Sequence, residues 1–230
     1  MKKFIFGFVA SILSLHFCAG QVKVLQVKGD VYVRHDVRQE WQPLHAGDIL
    51  KPNDSMKSGK RARAIILVDG KRRIAFPENV IIDLSDLRSL TREELLLKLA
   101  MERFRTVPVQ EQNDEPGIPQ STILHGSEKG PANTLQSSNE PGILQLNGTR
   151  VLYRIGYYAT CALKAKEVFR LYPELSKRSE FRLMVAYALE KENLNGEALT
   201  EYASLLNDDL SSRDKEIVQV RMARLKKKPG

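Results

Sequence analysis

The stretch SGKRARAIILVDGKRRIAFPENVIIDL, residues 58–84, decides how the N-terminal part of the chain reads. The apolar run Ala64 to Val68 and the shorter Ile74 to Phe76 flank Asp69-Gly70, a pair that adopts positive φ cheaply and so closes a hairpin. Ser58-Gly59-Lys60-Arg61 is a second turn signal, and NVIIDL (79–84) reads as a closing strand. Working upstream, VKVLQVKGDVYVR (22–34) gives two strands around Lys28-Gly29-Asp30. Val31 and Val33 alternate with Tyr32 and Arg34, as on a strand with one buried face. WQPLHAGDILKPNDSMKSG (41–59) adds Trp41, Leu44, a Gly47-Asp48 turn and a Pro52-Asn53-Asp54 turn. Asp48, Asp54 and Asp69 are expected to be turn formers whose carboxylates bond nearby backbone amides. Residues 21–84 are therefore predicted to form a small antiparallel β-sandwich or roll.

The pattern changes at Ser85. LTREELLLKLAMERF (90–104) sets Thr91 and Glu94 at capping-box spacing, followed by Leu95, Leu96, Leu99 and Phe104, which predicts a connecting helix of about four turns within 85–106. Residues 107–149 are rich in Pro, Gly, Ser, Asn and Gln and read as a flexible linker, because such a composition buries too little apolar surface to offset its ordering entropy. Within them EPGIPQ at Glu115 recurs as EPGILQ at Glu140, either a duplicated linker word or a docking peptide. From Arg150 to Gly230 the chain reads as helical. Phe181, Met184, Val185 and Ala188 form one stripe, and Ala198, Tyr202, Leu205 and Leu206 form the next, with KENLNG as the turn between them. Ala165 and Phe169 repeat the spacing of Ala198 and Tyr202 at an offset of 33 residues, and Ala186 offers a further small position. This spacing resembles tetratricopeptide repeats, whose period is about 34 residues. The predicted class is α+β and multidomain, an antiparallel β unit followed by an all-α helical-hairpin domain.

The first twenty residues, MKKFIFGFVASILSLHFCAG, have a basic start, an apolar run, and small residues at Cys18 and Gly20, the grammar of a signal peptide cleaved before Gln21. Lipidation at Cys18 and an uncleaved anchor are the alternatives. No later segment is apolar for long enough to span a bilayer, so the mature chain is expected to be periplasmic or extracellular, with no transmembrane span after cleavage. Cys161 would then be its single cysteine, which excludes an intramolecular disulfide and a CxxC site. Loss of Lys2 and Lys3 lowers the net charge from +8 to +6, a moderate excess that permits attraction to anionic envelope polymers.

Four segments in order, VKGDVYVR at Val27, WQPLHAGDIL at Trp41, NDSMKSGKRARAIILVDG at Asn53 and IAFPENVIIDL at Ile74, resemble the FecR domain, the envelope module of iron-uptake signalling regulators. Ser58 stands where that pattern has Thr. The resemblance implies a small β fold and an envelope compartment. Regulators of that family place a sigma-binding segment ahead of a membrane span. Here Met1, Lys2 and Lys3 precede the apolar stretch, so that segment is not expected.

The chemistry read from the residues is binding. Lys57, Lys60, Arg61, Arg63, Lys71, Arg72 and Arg73 form a candidate anionic-ligand patch. Nucleic acid is not the expected ligand, since stacking aromatics and a groove-entering helix are missing beside them. No phosphate-loop string or G-x-S-x-G elbow occurs, and His35, His45 and His125 lack metal-ligand spacing. No catalytic residue, metal or cofactor is expected, and Cys161 reads as a buried structural thiol. Tyr157, Tyr158, Arg182 and Tyr187 are candidate contacts for a partner on the helical module. The expected function is that of an exported, non-catalytic envelope protein binding a protein partner. A membrane-anchored FecR-type transducer and a binder of anionic glycan or lipopolysaccharide are the alternatives.

Overall fold

The structure is a computed structural model that describes residues 22–35, 40–106, 139–208 and 210–227. Among these residues eight strands come first: β1 Val22–Lys28, β2 Val31–Arg34, β3 Gln42–Pro43, β4 Ile49–Leu50, β5 Ser55–Ser58, β6 Arg63–Val68, β7 Arg72–Phe76 and β8 Val80–Asp83. They build two antiparallel four-stranded sheets, ordered β4-β1-β6-β7 and β3-β2-β5-β8. Although consecutive, β1 and β2 belong to different sheets. Gly29 (φ +72°) carries the chain across, and a Cβ there would stand 3.0 Å from Ala62 Cα, so glycine is required twice over. Each sheet buries one face: Val22, Val24, Ile66, Val68, Ile74 and Phe76 from the first join Val31, Val33, Met56, Val80 and Ile82 from the second in one core.

The quoted stretch is architectural. Asp69 (φ +51°) and Gly70 (φ +66°) turn β6 into β7, and Lys71 N–H donates to Val68 O at 3.1 Å. The pairing sets Ile66 opposite Ile74, both inward. Ser58, fully buried, donates its hydroxyl to Pro77 O at 2.6 Å and accepts Val80 N–H at 3.1 Å, which ties the end of β5 to the start of β8. Two of the turn carboxylates act as the sequence predicts: Asp48 Oδ2 accepts His45 N–H and Asp54 Oδ2 accepts Lys51 N–H, each at 2.8 Å.

Six α-helices follow among the described residues: α1 Arg92–Thr106, α2 Glu140–Arg154, α3 Tyr158–Leu171, α4 Ser179–Lys191, α5 Asn195–Leu206 and α6 Ser212–Lys226. At the start of α1, Thr91 Oγ1 accepts Glu94 N–H at 3.2 Å, but the Glu94 carboxylate turns to Arg88, so only half of the capping box forms. Leu95 and Leu99 are buried, whereas Leu96 and Phe104, expected on the same apolar face, are exposed. A second correction concerns the linker, whose C-terminal end is helix. EPGILQ at Glu140 is the first turn of α2, where Pro141 loses no hydrogen bond because early helical N–H groups are unpaired in any case. The expected signal peptide (1–20), residues 107–138 and EPGIPQ at Glu115 lie outside the described residues.

α4 and α5 carry the two predicted stripes, with Ala186, Ala188 and Ala198 fully buried where the helices approach and Leu206 half-buried. A single hydrophobic core runs from Val22 to Leu225, shared by the sheets and the helices. The junction is α2 lying on β8. Gly148 makes it close: a Cβ there would meet Ile81 O far inside van der Waals contact. Among the described residues no helix is long and apolar enough to cross a membrane.

Candidate functional site

The seven basic residues do not form one patch. Lys60, Arg61 and Arg63 stand at the start of β6, whereas Lys71 lies in the turn after it and Arg72 and Arg73 open β7 opposite Val68 and Leu67, roughly 13–17 Å from Arg63 at about 3.3 Å per strand residue. Lys57 lies on β5 in the other sheet, its ammonium 5.9 Å from the Trp41 ring. Arg72 is engaged within the fold: its guanidinium stacks 4.7 Å over Tyr157 and donates to Ile155 O.

The four candidate partner contacts are likewise occupied within the chain. Tyr157 lies under Arg72, and Tyr158 meets Tyr153 edge-on at 5.1 Å. Tyr187 packs at 6.1 Å from Tyr202 and carries Arg221 over its other side at 4.2 Å. Arg182 pairs with Asp208 and donates to Ser204 Oγ at 2.7 Å. All four are half-buried.

The polar side chains that the fold does bring together sit at the seam between the second sheet and the helices. Strand register places Arg34 of β2 opposite Ser55 of β5, and Ser55 opposite Asp83 of β8. Ser55 Oγ donates to Asp83 Oδ1 at 2.6 Å. From α3, Lys164 Nζ donates to Asp83 Oδ2 at 2.8 Å and lies 3.1 Å from Glu167 and 3.9 Å from Asp86. Burial opposes the charge on Lys164, but Asp86, Asp83 and Glu167 outweigh it and hold the ammonium above its usual range. Burial also opposes ionisation of Asp83, yet Lys164, the Ser55 hydroxyl and Arg34 leave its carboxyl below the usual range. For Asp86 burial prevails over the attraction of Lys164, with Asp83 and Glu167 adding repulsion, and the carboxyl is pushed up to about 6.

A cleft of about 520 Å³ opens on one side of Lys164, lined by Arg34, His35, Ser55, Asp83, Gln145 and Glu167 among others. On its cationic wall the Arg34 guanidinium rests 4.8 Å from the Trp41 ring. On the other side a hollow of about 340 Å³ reaches Arg88, Met101, Thr160 and Leu163. Thr160 Oγ1 donates to Arg88 O at 3.0 Å, which stitches α3 to the segment before α1. Three buried atoms at this seam, Arg34 Nε, Asp86 Oδ2 and Gln145 Oε1, make no protein hydrogen bond. A third depression, of about 410 Å³, lies among α1, α3 and α5, with Leu99, Phe169 and Leu189 at its base and Glu102, Arg103, Lys166, Arg170, Glu197 and Glu201 around it.

Chemically the seam is a network of hydrogen bonds and ion pairs centred on Lys164. The Ser55 hydroxyl donates to a carboxylate held below its usual range, which makes Asp83 a poor general base, and Lys164 is held charged, so neither is poised as a nucleophile. The cation enclosed by the carboxylates is the Lys164 ammonium itself. Among the described residues no group of three or more His, Cys, Asp or Glu is placed to hold a metal ion. His35 Nδ1 faces Asp54 Oδ2 at 3.2 Å and His45 is exposed beside Asp48. Cys161 is buried in α3, where burial pushes its thiol up to about 12. Sequence reasoning missed Lys164, Asp83, Asp86 and Glu167. Their one signal is a pair of i, i+3 spacings, Asp83 to Asp86 and Lys164 to Glu167, and such spacings are ordinary on any polar surface. Comparisons with protein-family models, with curated proteins and with solved structures find no match to this chain.

Proposed function

We propose that the chain is an exported, non-catalytic envelope protein that binds a protein partner, with residues 22–84 as a FecR-like β unit and α2 to α6 as a tetratricopeptide-like stack. The observation that carries this reading is the depression among α1, α3 and α5. An apolar base of Leu99, Phe169 and Leu189 inside a ring of charged side chains suits an apolar anchor of a partner protein flanked by polar contacts. The charged ring is pre-ordered: Arg170 Nε holds Glu102 at 2.9 Å, and Lys166 pairs with Glu201. Ordered side chains lower the entropy lost on binding. The alternative of an anionic-polymer binder is weakened by the dispersal of the basic residues over two ends of a hairpin and a second sheet.

The test uses the whole chain, because sheets and helices share a core. Thr200→Arg places a long side chain at the exposed rim without touching that core. A partner captured from the envelope fraction by the parent chain is expected to be lost by Thr200→Arg at unchanged melting temperature. Retention of the same partner by the variant rejects the depression as the binding site. N-terminal sequencing of the exported product addresses the compartment: a start at Gln21 fits this reading, and retention of Met1 favours a membrane-anchored transducer instead.

A further inference from the structure

The Lys and Arg side chains divide by region. Among the described residues, those that enter ion pairs all lie between Arg88 and Arg224. The outer face of the first sheet gathers four cations that have no such partner. Register sets Lys23 of β1 opposite Leu67 of β6 and Leu67 opposite Arg73 of β7, with Ile49 of β4 on the other side of Lys23. Ile65 and Ala75 pair in the next row, and Lys28 pairs with Arg63 at the end of the sheet. Side chains in register share a face. Since Ala64, Ile66 and Ile74 point into the core, the alternate positions point away from it. Arg72 stands on the other side of β7 from Arg73, which explains why it alone of the two reaches Tyr157.

The helices leave this face open, α2 lying on β8 of the second sheet. Lys23, Lys28, Arg63 and Arg73 are exposed, and none of them makes an ion pair, side-chain hydrogen bond or ring contact among the described residues. No Asp or Glu occupies an outward position on these four strands. We propose that the outer face of the first sheet docks the chain on a membrane surface rich in anionic lipid headgroups. An unpaired cation gains directly from the negative potential of such a surface. The two basic pairs stand about 13 Å apart along β6, four residues at about 3.3 Å each, so a single small anion does not serve both, whereas a charged surface meets them together. Between and beside the pairs, half-buried Ile65 and Leu67, exposed Ala75 and Ile49, 57% exposed, offer apolar contact at the headgroup boundary. The face holds no aromatic ring for a sugar or a base to stack on. The proposal does not rest on the depression among α1, α3 and α5.

Co-sedimentation of the exported product with vesicles of equal parts phosphatidylglycerol and phosphatidylcholine, against vesicles of phosphatidylcholine alone, tests this. The parent is expected to bind the anionic vesicles only, and less as salt rises. Lys23→Gln with Arg73→Gln, and Lys28→Gln with Arg63→Gln, are each expected to weaken binding about twenty-fold, roughly fivefold per cation, at unchanged melting temperature. Lys191→Gln with Lys215→Gln removes the same charge from exposed helical positions and is expected to change binding less than about twofold. Thr200→Arg is expected to bind vesicles like the parent, so loss of a protein partner and loss of membrane docking are separate results. No binding to anionic vesicles, equal binding to neutral ones, or an equal loss from the helical pair each overturns the proposal. If dextran sulfate is bound and vesicles are not, the face serves an anionic polymer and the proposal falls.

Discussion

Strand β8 and strand β7 both meet a neighbour through close backbone approach, yet opposite means hold the two contacts. β7 is brought to β6 by three residues of chain, and positive φ at Asp69 and Gly70 does the work. β8 meets α2 across more than sixty residues of sequence. That contact depends on a missing side chain at Gly148 and on an amide and ion bonds reaching over it, Asn147 Nδ2 to Asn79 O at 2.9 Å and Lys164 to Asp83. The hairpin is thus specified by local conformational preference, and the seam by steric fit and buried charge. Local preference is worth about 1 kcal/mol at a turn; a backbone clash or an unpaired buried charge is worth several.

The largest expected effect therefore lies at the seam. Gly148→Ala adds a methyl against the Ile81 carbonyl, and a loss of about 3 kcal/mol or more by urea denaturation is expected, despite the gain of about 1 kcal/mol that alanine brings to a helix interior. A stabilised variant would erase the contrast drawn above. Next comes Asp86. Its folded carboxyl titrates near 6 against an ordinary 3.8, so its contribution is full below about pH 4 and is lost as pH rises through about 6. Asp86→Asn keeps the neutral form, so the variant is expected to match the parent near pH 4 and to exceed it by up to about 2–3 kcal/mol above pH 6. Melting curves at the two pH values check this, and a pH-independent difference breaks it. Lys164→Met strands Asp83 and Glu167 beside Asp86 and is expected to cost about 2 kcal/mol, part of which a further Asp83→Asn recovers. Smallest is Gly70→Ala in the hairpin, at about 1 kcal/mol, because φ +66° strains an alanine while no atom lies close to its methyl.

The same division explains what the sequence disclosed. The hairpin, the Asp48 and Asp54 turns, Thr91 as a cap and the α4–α5 stripes rest on contacts within a few residues, and their letters spell them. The start of α2 was masked by composition: Glu140 to Gln145 share Pro, Gly and Gln with the segment before them, and their value as helix comes from Leu146, Val151 and Leu152 packing at a distance. The α2–β8 junction has no local signal, since nothing about Gly148 in sequence distinguishes a close approach from a flexible glycine. The surroundings of the basic residues and of the tyrosines are not local either. Lys60 to Arg63 and Lys71 to Arg73 are close in sequence yet lie towards opposite ends of β6, and the tyrosines meet Arg72, Tyr153, Tyr202 and Arg221.

Cys161 gives this molecule a built-in clock. Its thiol is buried in α3 beside Tyr153 of α2 and kept protonated, so an alkylating reagent reaches it only when the fold opens. With Cys18 replaced, the rate of labelling at that one sulfur counts those openings directly, with no partner and no activity in hand.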